Sequence, residues 1–176
     1  MTTLERDAAL ARSLYHLATG TLSWLDDHVT GDRDEPDVDA DALARMRRSV
    51  DWLLARLPAD ERARIEAGAA DAASLPAVAG IFVDVQWWVG ACDEDEIDLH
   101  VAVKTQESAV SHLLGLPDDQ RDRFIELLDE LAAAEPHAGR RYELLVFAFE
   151  CGLVDDEDEP QHEEPDQREW VRPEDR

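Results

Sequence analysis

Basic residues are scarce in this chain. Seventeen arginines and lysines, with Lys104 the sole lysine, face 42 acidic residues, for a net charge of −25 over 176 residues. A surface of that sign repels phosphate backbones and anionic lipid headgroups, so the expectation is no nucleic-acid partner and no membrane partner. The same field attracts basic protein surfaces and speeds their encounter.

Cysteine is nearly missing too. Cys92 and Cys151 are the only two, too far apart for a CxxC site and too few for a disulfide framework. The first residues, MTTLERDAALARS, lack a basic stretch followed by an apolar run, so no signal peptide is expected. The longest apolar clusters, at 75–92 and 144–149, are too short or too interrupted to read as a bilayer span. A cytoplasmic protein with two reduced thiols is the expectation.

Catalytic signatures are lacking as well: GxSxG, P-loop, GxGxxG, SxxK and HExxH do not occur. No cofactor is therefore expected, and a non-enzymatic role is favoured. With only eight glycines and many alanines, the composition leans to helix rather than sheet.

What the chain does have is helical periodicity. Thr2 and Glu5 have capping-box spacing, and Leu4, Ala8, Ala11, Tyr15, Ala18, Leu22, Leu25 and Val29 follow at three and four residues. Gly20 interrupts that stripe and Gly31 ends it. A second helix is capped near Asp39 or Asp41, with Leu43, Met46, Val50, Leu53, Leu54 and Leu57 inward and Pro58 closing it. The short ERARIEAG helix stops at Gly68. Asp118 opens a helix to Ala134, with Phe124, Leu127, Leu128 and Leu131 inward. Pro136 opens another, carrying Tyr142, Leu145, Val146 and Phe149, with Gly152 as its C′ residue.

The stretch 74–114 supports two readings. Val78, Ile81, Phe82, Val85, Trp88 and Val89 have the spacing of a buried helix. Leu99, Val103, Gln106, Val110 and Leu113 form a second stripe that ends at Gly115–Leu116–Pro117. Yet Ile81–Val89 is rich in β-formers and Ile97–Val103 largely alternates, as a hairpin would. The favoured fold is all-α, a bundle of five to six helices over 1–154 followed by a disordered acidic C-terminal tail over 155–176. The alternative is α+β with one hairpin at about 81–103.

The excess charge is concentrated. Residues 155–176 and 93–98 together carry −13 of the −25. Asp93, Glu94, Asp95 and Glu96 lie where a helix is expected to start near Asp95, and carboxylates in a first helical turn are favourable. DEDEID lacks the central glycine of a calcium loop. Trp170 stands in the tail with no core of its own to enter. Asp93, Glu94, Asp95, Glu96 and Trp170 are thus the candidate contacts for a basic protein partner, with the chain acting as an inhibitor, immunity-type or regulatory factor.

The alternative function is a Mg²⁺-dependent, all-α nucleotide pyrophosphohydrolase-like enzyme. There, Glu126 and Asp129, on one helical face, would hold the metal with a second acidic pair from a neighbouring helix. A third reading is a ligand pocket walled by Trp87 or Trp88. Ser108 could reach His112 four residues on, though no third group is evident to orient the imidazole.

Overall fold

The computed structural model describes residues 2–29, 37–155 and 169–176. Among them the regular structure is helical: α1 (Thr3–Val29), α2 (Ala40–Ala55), α3 (Ala59–Glu66), α4 (Leu75–Ala91), α5 (Leu99–Leu114), α6 (Asp118–Ala134) and α7 (Ala138–Glu150). Two 3₁₀ turns, Ala72–Ser74 and Pro173–Asp175, complete it. The all-α class therefore stands, with seven helices where five or six were expected. Pro58 separates α3 from α2, and the acidic loop divides the apolar stretch 74–114 into α4 and α5.

The hairpin alternative at 81–103 is corrected. Ile81–Val89 lies wholly inside α4 and Leu99–Val103 opens α5. The β-forming residues are accommodated because α4 is the central helix: thirteen of its seventeen residues are buried. A helix apolar on all sides belongs inside a bundle, where packing outweighs propensity. The segment Ala72–Ala91 is long and apolar enough to cross a bilayer, yet 78% of that window is buried within the bundle.

Around α4 pack α1, α5, α6 and α7. Phe82 of α4, Phe124 of α6 and Phe147 of α7 meet edge to face, with ring centroids 5.8–6.1 Å apart, the arrangement their quadrupoles favour. The local start signals are realised. Thr2 and Glu5 exchange hydrogen bonds at 2.8 and 3.2 Å, and Asp39 accepts from the Ala42 N–H at 2.8 Å. Helix α1 runs unbroken through Gly20.

Helix phase departs from expectation in three places. In α1 the expected Ala11, Ala18, Leu22 and Leu25 are buried, but Leu4 is exposed, and Leu10 and Leu14 join the core. In α7 the expected Val146 is buried together with Leu144, Phe147 and Ala148, while Tyr142, Leu145 and Phe149 are only half-buried. Most consequentially, α5 starts at Leu99 rather than near Asp95. It buries Val101, Thr105, Ala109 and Leu113, which leaves Leu99 and Val103 60% and 42% exposed.

Candidate functional site

Cys92 to Asp98 links the central helix to α5, and backbone bonds define its shape. The N–H groups of Glu96 and Ile97 both donate to the Asp93 carbonyl, at 2.9 and 3.1 Å. An isolated antiparallel bridge pairs Ile97 with Val38. Asp39 N–H donates to the Glu96 carbonyl and Asp98 N–H to the Asp37 carbonyl, each at 2.8 Å. Glu96 is half-buried and pairs with Arg45 of α2. Asp98 is the N-cap of α5, accepting from His100 and Val101.

The five acids of this loop thus divide by role. Two serve the fold, whereas Asp93, Glu94 and Asp95 are exposed and form no ion pair among the described residues. Immediately after them, Leu99 and Val103 sit one turn apart on the same face of α5, both exposed. Burial, with Glu96 beside it, raises the Cys92 pKa. Burial likewise pushes the Cys151 thiol up to about 12. Both thiols are free and protonated at neutral pH.

Trp170 does not project toward solvent as a lone anchor. It is half-buried against the helical body, and the arm it begins, residues 170–176, is seated there by several contacts. Pro173 is buried, and the Ser49 hydroxyl of α2 donates to Glu174 at 3.1 Å. The expectation of a disordered tail over 155–176 is thereby revised at its far end, because Trp170 and Pro173 find apolar surface to cover. Residues 156–168 lie outside the described residues.

The arm ends in a buried charge cluster that the sequence did not announce. Asp84, in the middle of α4, is 0% exposed. Its Oδ1 accepts from Arg140 Nε of α7 at 3.2 Å and from Arg176 Nη2 at 2.5 Å. Arg140 also donates to Glu135 at 2.5 Å and to the Gly80 carbonyl at 3.3 Å. A Cβ at Gly80 would stand 3.0 Å from Arg140 Nη2, so a larger residue there would push on the guanidinium.

Burial opposes charge on Arg140, but Asp84 and Glu135 outweigh it and raise its pKa. For Glu135, burial is likewise overcome: the His137 N–H and Arg140 hold its carboxyl below the usual range. The Arg176 guanidinium lies 5.3 Å from the centroid of the Trp87 ring, within cation–π range.

Two cavities flank α5. One, of about 370 Å³, lies among α4, α5 and α7 and is lined by Trp87, Gln86, Gln106, Glu143 and Glu150. The other, of about 300 Å³, lies between α1 and α5. It brings together His16, Gly20, Trp24, Lys104, Ser108 and His112, a grouping that sequence spacing did not reveal. There His112 Nδ1 bonds the backbone carbonyl of Ser108 at 2.7 Å, so no Ser108–His112 nucleophile pair is formed.

Glu126 and Asp129 face solvent on α6, and Glu126 pairs with Arg123 at 3.4 Å. No cluster of three or more His, Cys, Asp or Glu side chains suited to a metal ion occurs among the described residues. Trp88 is core, while Trp87 lines the first cavity. Compared with protein-family models, with curated proteins and with solved structures, the chain finds no match.

Proposed function

We propose that this protein is a non-enzymatic binding factor for a basic protein partner, an inhibitor, immunity-type or regulatory factor. Its docking surface is the loop acids Asp93, Glu94 and Asp95 together with Leu99 and Val103. The observation that carries the reading is their adjacency. Three exposed carboxylates are followed within a few residues by two substantially exposed apolar side chains, on a loop tied down by the Val38–Ile97 bridge and by Arg45. An apolar centre with a charged rim is the usual anatomy of a protein interface.

Tying the loop down lowers the ordering cost of association. The carboxylates would govern encounter rate and its salt dependence, and the apolar pair the residence time. In this reading the protein acts in the cytoplasm, needs no cofactor, and repels nucleic acid and anionic membranes. Glu96, already paired with Arg45, positions the loop, and Trp170 holds the arm on the body. The Mg²⁺-dependent reading draws less support, because Glu126 and Asp129 have no second acidic pair converging on them among the described residues.

The test titrates a lysine- and leucine-rich amphipathic peptide into the protein by calorimetry at several salt concentrations. The triple variant D93N/E94Q/D95N should bind at least tenfold more weakly and lose most of the salt dependence. A control variant, E126Q/D129N, should bind as the parent does. Equal weakening in both variants, or in neither, would refute the docking surface.

A further inference from the structure

We propose that the pocket formed by Asp84 and Trp87 is a guanidinium-binding site, filled here by Arg176, which a partner's arginine enters by displacing the arm. This rests on the reading of the chain as a receptor for a basic partner and adds where one arginine of that partner goes.

The site already shows its ligand chemistry. The Arg176 side chain is only 8% exposed and is held in three ways: its Nη2 donates to Asp84, its Nε donates to the Val171 carbonyl at 2.8 Å, and its Cζ lies over the Trp87 ring, 5.3 Å from the centroid. A carboxylate at the bottom and an indole face at the side suit a planar, delocalised cation. An ammonium lacks both the fork and the stacking plane. Glu135, bonded through Arg140 to the same cluster, adds a further negative charge that Arg176 helps to balance.

The present occupant fits incompletely, and this is what makes it displaceable. Both Arg140 and Arg176 donate to Asp84 Oδ1, while Asp84 Oδ2 is buried with no hydrogen-bond partner among the described residues. A carboxylate can accept two parallel N–H bonds from one guanidinium, and half of that capacity is unused. The Trp87 and Trp170 indole N–H groups are also buried without partners among the described residues. Arg176 holds its place through tethering, which gives an intramolecular ligand an effective concentration on the order of millimolar. An arginine delivered by a docked partner gains the same advantage and can use both oxygens of Asp84.

The experiment compares the full-length chain with its R176A variant, using N-acetyl-arginine amide and N-acetyl-lysine amide at matched ionic strength. Thermal shift and tryptophan fluorescence are the readouts. In R176A the arginine probe should raise the midpoint in a saturable way and change the fluorescence. The lysine probe should do neither, and the parent should respond at least tenfold more weakly. An equal response of parent and variant, an equal response to both probes, or no response in R176A would overturn the proposal.

Should R176A fold poorly, R176K carries the same test, since an ammonium cannot fill the fork and the arginine probe should still bind. Adding D93N/E94Q/D95N to R176A should leave arginine-probe binding within twofold. The pocket and the loop surface can therefore fail independently.

Discussion

Substituting Asp84→Asn should be among the most damaging single-atom changes available in this protein. The side chain is fully buried, and the two guanidiniums that share its Oδ1 have side chains only 12% and 8% exposed. Asparagine fills the same volume and keeps one acceptor oxygen, so no cavity forms and the loss is almost purely of charge. Removing one partner from a buried ion pair costs about 3–5 kcal/mol, because the remaining charge stays desolvated. Arg140 retains Glu135 and the Gly80 carbonyl, which places the expected cost near the lower end, at about 3 kcal/mol.

For a chain of this length that corresponds to a fall in Tm of about 6–12 °C. With a urea m-value of ~2 kcal/mol/M, the midpoint falls by about 1.5 M. Glu126→Gln supplies the contrast. Its partner Arg123 lies 3.4 Å away, but Glu126 is 68% exposed, and such surface pairs contribute at most about 0.5 kcal/mol. Urea denaturation of the parent and both variants at pH 7 measures the difference. A loss below about 1 kcal/mol for Asp84→Asn, or one no larger than for Glu126→Gln, would refute the view of a desolvated cluster holding the arm to α4.

Other outcomes follow from the same geometry. Gly20→Ala should raise stability by about 0.5–1 kcal/mol by thermal melting, since the position is helical and a Cβ there meets nothing within 4 Å; a loss would show that α1 needs glycine there. Gly152→Ala should instead cost about 1–2 kcal/mol in the same assay, because φ is +64°, and a gain would contradict that backbone geometry. Cys151, with its pKa near 12, should react with iodoacetamide at pH 8 about three orders of magnitude more slowly than an ordinary thiol of pKa ~8.5; a rate within tenfold of free cysteine would disprove its burial. Glu135, held below its ordinary 4.5, should contribute stability that is complete above about pH 4.5 and lost as pH falls through the lower folded value. The urea midpoint of Glu135→Gln should therefore fall less steeply than the parent's between pH 6 and 3, and parallel curves would refute the assignment.

The candidate surface was legible in part. Counting acids along the chain located the loop at 93–98, because charge density is a property of sequence alone. It could not say that Glu96 and Asp98 are committed to Arg45 and to the α5 cap, leaving only Asp93, Glu94 and Asp95 as exposed acids of the loop without an ion pair among the described residues. Nor could it place Leu99 and Val103 on the surface, because which face of α5 turns inward is set by how the helix docks, and Val101 and Thr105, two residues further along, take the buried face instead. The cleft joining His16 to Lys104 and His112 was invisible for a related reason: it depends on which faces of α1 and α5 meet.

The sequence by itself determined what is local. The Thr2–Glu5 capping box, a helix cap at Asp39 or Asp41, the stop at Pro58 and the start at Asp118 all depend on residues within a turn of one another. Only the tertiary structure decided the rest. The β-rich run 81–89 became the central helix because surrounding helices bury it on every side. Asp84, one acid among 42, became the buried partner of Arg140 and Arg176, 56 and 92 residues away. No spacing rule reaches that far; the low dielectric that makes such a pairing matter exists only once the bundle has closed around it.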